Sequence, residues 1–325
     1  MNSMVLWYDL KKQGATNESM AENPVLRDLS GNGHDATCYN FAWGGMSGIG
    51  GYATNFNTWL YTIDTDKVVV TDNTLNIIHR SQGEQFIRYG SLNALTIRIK
   101  TNKECSFRIV INYKESPADE RTIPINKDQW TQIELPALSS NEVNLRWAYF
   151  SNYGTDIIIE QETLYPNALV SDGVDDYCLV EGLPLLDKED GYTVIAKRKW
   201  LDEDNEGSTS FASKAITANG IEGAFMFEFK DTAGTRKLIR SFGAATAVEE
   251  FEKNDITYQS SGSYNGREII AGGSIDNSDM ALFRYCSGVY DYFGVFALYS
   301  LLLFNRNLTT EEIEWVKTNL IETEQ

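Results

Sequence analysis

The sequence predicts an all-β protein built of two antiparallel β-sandwiches (jelly rolls), with one short helix at its C-terminal end. Three observations predict it. Between Trp59 and about Tyr165, short runs alternate apolar and polar residues and are separated by turn signals. Over residues 295–304 both even positions (Phe296, Leu298, Leu302, Phe304) and odd ones (Val295, Tyr299, Leu301, Leu303) are apolar. A strand of that kind has no solvent face and belongs inside a sheet covered on both sides. The one clear helix start follows it. Thr309 is an N-cap with Glu312 three residues on, and Leu308 and Ile313 flank the cap as a hydrophobic staple.

The elements follow in order. Residues 5–8 predict a first strand, and residues 11–23 are too hydrophilic for a core. The run Asp28-Leu29-Ser30-Gly31-Asn32-Gly33-His34-Asp35 contains the Ser-Gly and Asn-Gly pairs of tight turns, with the Asp28 carboxylate placed to cap its own turn. Residues 36–41 resume as a strand, and it and residues 5–8 are expected to be the partners of the strand at 295–304. Residues 43–52 are rich in glycine, but no Lys-Ser/Thr pair or helical pattern follows, so the stretch predicts an irregular loop and not a phosphate cradle. In the alternating stretch, Leu95, Ile97 and Ile99 face one way and Thr96, Arg98 and Lys100 the other. Phe107, Ile109, Ile111 and Tyr113 repeat the pattern, as do Thr131, Ile133 and Leu135 against Gln132 and Glu134. Further strands are expected at 168–177 around a turn, and at 192–196, 211–214, 224–230, 237–242 and 280–286. Residues 202–208 and 249–255 are charged loops. After the final strand, Asn305-Arg306-Asn307 turns the chain, and Ile313, Val316 and Leu320 share one helical face.

The chain has 325 residues, 42% hydrophobic and 23% charged, which is room for two domains with ordinary cores. Its net charge of −18 argues against nucleic acid and against insertion at an anionic membrane. Cys38, Cys105, Cys178 and Cys286 form no CxxC pair and sit among strand residues, so they are expected to be free buried thiols of a chain folded in a reducing compartment. With only His34 and His79 beside them, a Cys/His zinc site is not expected. The opening MNSMVLWYDL lacks the basic and long apolar regions of a signal peptide, which points to release by another route, such as lysis of the producing cell.

Three motifs together resemble the laminin-G-like, concanavalin A-like lectin/glucanase domains. They are Asp28-x-Ser30-Gly31-Asn32-Gly33, the run Leu169 to Tyr177 (LVSDGVDDY), and Tyr299 to Ile313 with its closing strand, turn and capped helix. In that family the first two motifs lie a few tens of residues apart. Here Asp28 and Asp172 are 144 apart. The resemblance therefore implies a concanavalin A-like sandwich from residues 1–60 and 166–325, interrupted by an inserted sandwich at 61–165. Within the insert, Gln129 to Pro136 (QWTQIELP) and Asp156 to Glu160 (DIIIE) look like the strands of galactose-binding-type, carbohydrate-binding-module-like jelly rolls. The opening run, from Asn17-Glu18 through Asp28–Asp35 and Tyr39–Trp43 to Tyr52, also resembles proteins of phages and prophages of gut Bacteroidales. There such sandwiches occur in fibres, tails and capsid decorations.

Each candidate site also has a plainer reading. Glucanases of the fold set paired carboxylates on one strand face as Glu-x-Asp-x-Glu, and no strand here does so. Asp202-Glu203-Asp204-Asn205-Glu206 lacks alternation and is a solvated loop. No catalytic residue is therefore nominated, and the chain is expected to be no enzyme. Asp172/Asp175/Asp176 and Asp276/Asn277/Asp279 offer oxygen ligands, but turn building is the favoured reading, so no metal or other cofactor is expected. For sugar stacking, Trp147 and Tyr149, near Arg146 and Asn152, and Tyr285, Tyr290 and Tyr292 in the loop before the last strand are the candidates. Core packing is the competing reading for each. The expected function is a non-enzymatic virion protein of a fibre, tail or capsid decoration. It would be made in the host cytoplasm and carried on the particle as a homo-oligomer among other virion proteins, with lectin-like domains for host surface glycans. The alternatives are a purely structural virion component and a glycoside hydrolase of the concanavalin A-like fold.

A test of the split follows. Removing residues 61–165 and joining the ends with a short Gly-Ser linker should leave a single cooperative melt. The fragment 166–325 alone should not fold, because the first strands would be missing from its core. A stable, cooperative melt of that fragment refutes the split.

Overall fold

The structure is a computed structural model. It describes residues 3–53, 56, 60–61, 68–70, 73–79, 86–88, 94–115, 117–137, 139, 143–152, 154–201, 209–215, 223–230, 237–248, 255–273, 279–284 and 293–321. The chain forms mostly antiparallel sheets in two compact units. The first comprises Met1–Trp43, Ser47–Gly50 and Tyr165–Gln325, and the second Gly44–Met46 and Gly51–Leu164. The sequence placed the inner boundary near residue 60; the second unit takes in Gly44–Met46 and runs continuously from Gly51, with Ala53 and Phe56 buried in its core. Four glycines (Gly45, Gly48, Gly50 and Gly51) take positive φ in the loop at this boundary, a conformation that costs an L side chain about 1–2 kcal/mol.

The first unit has two eight-stranded sheets. One runs Arg267–Glu268, Ser263–Tyr264, Ile256–Ser260, Thr193–Trp200, Phe296–Phe304, Leu169–Val170 and Gly48–Ile49, and Met4–Asp9 also pairs with Phe296–Phe304. The other runs Val25–Leu26, Ala36–Tyr39, Tyr177–Val180, Met280–Leu282, Thr209–Ala215, Gly223–Lys230, Lys237–Ser241 and Ala244–Val248. The long core between them includes Val194, Ala196, Phe211, Phe225, Phe227, Phe296, Leu298, Leu301 and Leu303.

The last strand is buried throughout except at half-buried Tyr299. Its partner Thr193–Trp200 matches Lys197 to Ser300 and Arg198 to Leu298, so Tyr299 is an extra residue, a β-bulge. The bulge reverses the alternation. Phe296 and Leu298 face the inner core before it, and Leu301 and Leu303 after it. Leu302 and Phe304 then turn outward and pack with Ile195, Leu308, Ile313, Val316 and Ile321 beneath the C-terminal helix Thr310–Val316. That helix starts as its sequence dictates. Thr309 Oγ1 accepts from Glu312 N at 3.3 Å, and a Glu312 carboxylate oxygen accepts from Thr309 N at 2.9 Å. The Arg306 guanidinium grips the same carboxylate at 2.6 and 2.8 Å and holds its pKa down to about 2.

Two expectations change at the N-terminal end. Residues 36–41 were expected beside the last strand, as well as residues 5–8. Met4–Asp9 does pair there, but Ala36–Tyr39 pairs with Tyr177–Val180 in the facing sheet. The polar stretch 11–23 also contains two short helices, Leu10–Gln13 and Asn17–Glu22, which bury Leu10, Asn17 and Met20. Asn17 acts as a substitute strand: its amide accepts from Ile49 N at 2.6 Å and donates to Ile49 O at 3.1 Å.

The turn after Val25–Leu26 is organised by Asp28. Its carboxylate accepts from Trp7 N, Ser30 N, Ser30 Oγ and His34 N at 2.8–3.1 Å. Burial raises its pKa, and these hydrogen bonds outweigh burial and lower it overall. The Asn32 amide adds bonds to Met4 O and Val5 O. The Asp-x-Ser-Gly-Asn-Gly motif therefore clamps the first strand in place.

A buried ion pair crosses the core. Arg198, on the inward face of Thr193–Trp200, meets Glu228 from the opposite sheet, and both are almost wholly buried. Arg198 Nε donates to Glu228 Oε2 at 2.8 Å, Nη2 donates to Oε1, and Tyr264 Oη donates to Oε1 at 2.8 Å. Glu228 follows inward-facing Phe227, and two successive inward residues require a break in alternation. Gly223–Lys230 supplies it. Between Met226 and Phe229 it carries one residue more than its partner Lys237–Ser241, with Glu228 at φ 57°.

The second unit has two five-stranded sheets. One runs Asp119–Ile125, Cys105–Tyr113, Val143–Phe150, Phe86–Arg88 and Leu60–Tyr61; the other runs Thr131–Leu135, Leu95–Thr101, Thr155–Gln161, Thr74–His79 and Val68–Val70. Leu95, Ile97 and Ile99 are buried at alternate positions as their pattern requires, with Phe107, Ile109, Ile111, Ile157 and Ile159 from the other strands. Among the described residues no helix is long and apolar enough to cross a membrane.

Glu228→Gln leaves the buried Arg198 cation without its counter-charge. It should destabilise the protein by about 3–5 kcal/mol in urea denaturation. Tyr264→Phe, which removes one neutral donor, should cost about 1 kcal/mol. Equal losses for the two variants would show that the charge pair does not dominate.

Candidate functional site

The outward faces of the second unit carry the residues best suited to meet a ligand. On Leu95–Thr101 the outward residues are Thr96, Arg98 and Lys100. Trp130 lies just before Thr131–Leu135 and stays 41% exposed. The Arg98 guanidinium carbon sits 4.6 Å from the Trp130 ring centroid and Lys100 Nζ 5.9 Å from it. Arg98 Nε in turn donates to Glu160 Oε2 at 2.6 Å, from the neighbouring strand Thr155–Gln161. The result is an indole whose position is fixed by a cation, and the cation by a carboxylate.

Toward the other end of the same strands lies a cleft of about 500 Å³. Its apolar lining includes Leu95, Leu135 and Leu164, and Arg121, Glu134 and Glu162 offer charge and hydrogen bonds at its edge. Glu134 and Thr96 face each other across the strand pair. From Trp130 to Glu134 the strand advances about 13 Å. The cleft touches the outward residues Thr96 and Glu134 but is lined as well by inward Leu95 and Leu135 and by Arg121 of the opposite sheet, so it lies at the edge between the two sheets, beyond the platform.

The residues proposed from sequence are distributed differently. Tyr149 is half-buried on Val143–Phe150, opposite Arg108. Arg108 lies 5.5 Å over its ring and is ion-paired with Glu120 at 2.6 Å. Trp147 occupies the same strand two residues away, opposite Val110; its side chain lies outside the described residues, as do Tyr285, Tyr290 and Tyr292. The flanks of that last loop are described. Arg284 lies 4.8 Å over the Tyr177 ring and 5.6 Å over Phe293, and Tyr177 stacks on exposed Tyr39 at 4.9 Å. Trp130 was quoted in the sequence as part of a strand motif and not nominated. Its signal was a tryptophan at a turn between polar neighbours, Gln129 and Thr131, where a core residue is not expected.

The three carboxylates Asp172, Asp175 and Asp176 have oxygens within 4.8 Å of one another. Asp172 Oδ1 accepts from Val174 N in an Asx turn, and Asp176 accepts from Asp172 N and Ser47 Oγ. Burial, helped by the neighbouring Asp172 and Asp175, pushes the Asp176 carboxyl up to about 7 against these hydrogen bonds. Of the second acidic group, Asp276 and Asn277 lie outside the described residues, and Asp279 accepts from Gly182 N at 3.2 Å.

No family model matches the chain, and no curated protein matches it. Among solved structures it is similar to a Trypanosoma rangeli sialidase in complex with sialic acid, at 11% identity over 79% of this chain and 62% of that one, with a TM-score of 0.35. It is also similar to a family 11 carbohydrate-binding module of a cellulosomal cellulase of Clostridium thermocellum. There the identity is 13% over 32% of this chain and 86% of that one, with a TM-score of 0.21. The chain thus spans less than two thirds of the sialidase's length. At these scores neither likeness carries an argument about activity or ligand. One expectation is nonetheless corrected. The sequence reading held the chain to be no enzyme, and the similar structures include enzymes, so that classification is withdrawn. Its physical basis was narrow: a missing Glu-x-Asp-x-Glu face excludes one carboxylate arrangement, whereas some glycosidases use a tyrosine nucleophile.

A pH prediction follows from Asp176. Its folded pKa lies above the unfolded value of 3.8, so its contribution to stability is fully present below about pH 4 and is lost as pH rises through about 7. The parent protein should lose melting temperature between about pH 4 and 7, and Asp176→Asn should flatten that fall. An unchanged slope would place the titration elsewhere.

Proposed function

We propose that the chain binds glycans through the outward face of Leu95–Thr101 and Thr131–Leu135 in its second unit, as part of a phage particle. The observation that carries the reading is the exposed Trp130 ring, held by Arg98 and Glu160 on the outward face of these strands, with the 500 Å³ cleft at the sheet edge toward their other end. A flat apolar ring takes the face of a pyranose, and the charged groups around it take its hydroxyls. In the same proposal the first unit is the concanavalin A-like sandwich and the second its carbohydrate-binding-module-like insert. A fibre, tail or capsid decoration is the setting that the opening motif suggests. Other virion proteins and further copies of this chain would be the structural partners, and host surface glycans the ligands.

The test is a glycan array followed by affinity electrophoresis in the polysaccharides that score. Trp130→Ala should keep the parent melting temperature within a degree or two, since the ring is exposed. It should also weaken binding about tenfold or more, the loss of roughly 1.4 kcal/mol or more of stacking. Tyr149→Ala should leave binding near the parent value. Binding that survives Trp130→Ala, or no binding to any glycan, overturns the site. Mass spectrometry of purified particles tests the setting independently, and absence of the protein from them removes the virion part alone.

A further inference from the structure

The two cysteines of the first unit that the structure describes are cross-strand partners. Cys38 of Ala36–Tyr39 lies directly opposite Cys178 of Tyr177–Val180 in an antiparallel ladder. Opposed residues in such ladders have Cα atoms about 4.5–5.5 Å apart, inside the range of about 4.4–6.8 Å that a disulfide spans. The two Sγ atoms are 2.7 Å apart, closer than unbonded sulfurs normally approach. Both thiols are buried in the main core, and the Tyr39–Tyr177 stack forms the next rung of the same ladder on the outward side.

We infer that Cys38 and Cys178 are a disulfide-forming pair, oxidised wherever the folding chain meets a small-molecule disulfide. One thiolate attacks the small disulfide to give a mixed disulfide and release one small thiol. The second cysteine then displaces the other small thiol. The protein loses two electrons and two protons, and the oxidant leaves as two thiols. The geometry sets the timing. With Cys178 fully buried and Cys38 nearly so, and with burial pushing the Cys178 thiol above its ordinary range, exchange is slow in the closed sandwich. The bond is made while the sheet assembles and afterwards resists reductant. It joins positions 140 residues apart, so its covalent loop encloses the whole second unit and fastens the two arms of the first unit to each other. The Tyr39–Tyr177 rung beside it is held in register by the same link.

The test uses the full chain, unfolded in guanidinium with reductant and refolded either in a glutathione redox buffer or in reductant alone. Alkylation in denaturant should count two free thiols after oxidative refolding, against all four cysteines after reductive refolding. Peptide mapping should recover Cys38 linked to Cys178. The oxidised protein should melt roughly 5–10 °C above the reduced one, as a long closed loop predicts. Cys178→Ser refolded in the redox buffer should show three free thiols and no gain in melting temperature. If Cys178→Ser does not fold, Cys38→Ala takes its place, and the map of the parent protein decides by itself. Four free thiols after oxidative refolding, or a link through Cys105 or Cys286, overturns the inference.

Discussion

The constraint on which the first unit depends is the burial of Phe296–Phe304 on both faces and along both edges. Nine successive residues with almost no water contact need hydrogen-bonding partners on each side and apolar cover above and below. Thr193–Trp200 supplies one edge. The other is divided between Met4–Asp9 and Leu169–Val170, so the first and last parts of the chain meet on one strand. The inner face is covered by the opposite sheet and the outer face by the C-terminal helix. The capping box and the Arg306–Glu312 grip lie at the start of the C-terminal helix, which would otherwise fray, and the Asp28 turn holds Met4–Asp9 from the side through Trp7 N.

Regular alternation alone does not build this sandwich. Two bulges re-aim side chains where the period of two would misplace them. At Tyr299 the extra residue turns the apolar set of the last strand from even to odd positions, so that one strand serves two cores in succession. At Glu228 the left-handed residue brings a carboxylate inward beside Phe227. Such a carboxylate is tolerated because its oxygens are satisfied by Arg198 and Tyr264, and Arg198 is tolerated because it meets a carboxylate. The pair is better understood as fixing how the two sheets face each other than as net stabilisation, since a buried ion pair gains little over an apolar pair of equal volume.

How legible the molecule was in its sequence depended on the length of each signal. Leu95, Ile97 and Ile99 announced their strand because seven residues of alternation exceed what chance supplies, and the Thr309–Glu312 capping box announced the last helix. The helices at Leu10–Gln13 and Asn17–Glu22 gave no such signal. Four to six residues do not complete an amphipathic repeat, and a single buried apolar residue in each, Leu10 and Met20, marks the inner side. The assignment of Ala36–Tyr39 beside the last strand failed for another reason: periodicity states that a strand exists, not which sheet it joins. The candidate surface was legible as composition but not as place. Aromatic residues with arginine nearby were visible around Trp147 and Tyr149, yet nothing in the spacing distinguishes a half-buried Tyr149 from an exposed Trp130.

The second unit repeats one arrangement on both outward faces, and the comparison isolates what a ligand would need. Trp130–Arg98–Glu160 and Tyr149–Arg108–Glu120 each place an arginine over an aromatic ring and tie the arginine to a glutamate. In both, the guanidinium shields part of the ring and limits the rotamers of a long side chain, so less freedom remains to be lost when a ligand arrives. The difference is exposure and surroundings. Tyr149 lies within a strand, flanked by its neighbours, whereas Trp130 stands at a strand entrance, with a cleft at the sheet edge toward the other end of the same strands. The overall charge of −18 acts in the same direction. It repels phosphate backbones at long range but leaves an uncharged polyhydroxylated ligand unaffected, so under the proposed function recognition would rest on stacking and short hydrogen bonds.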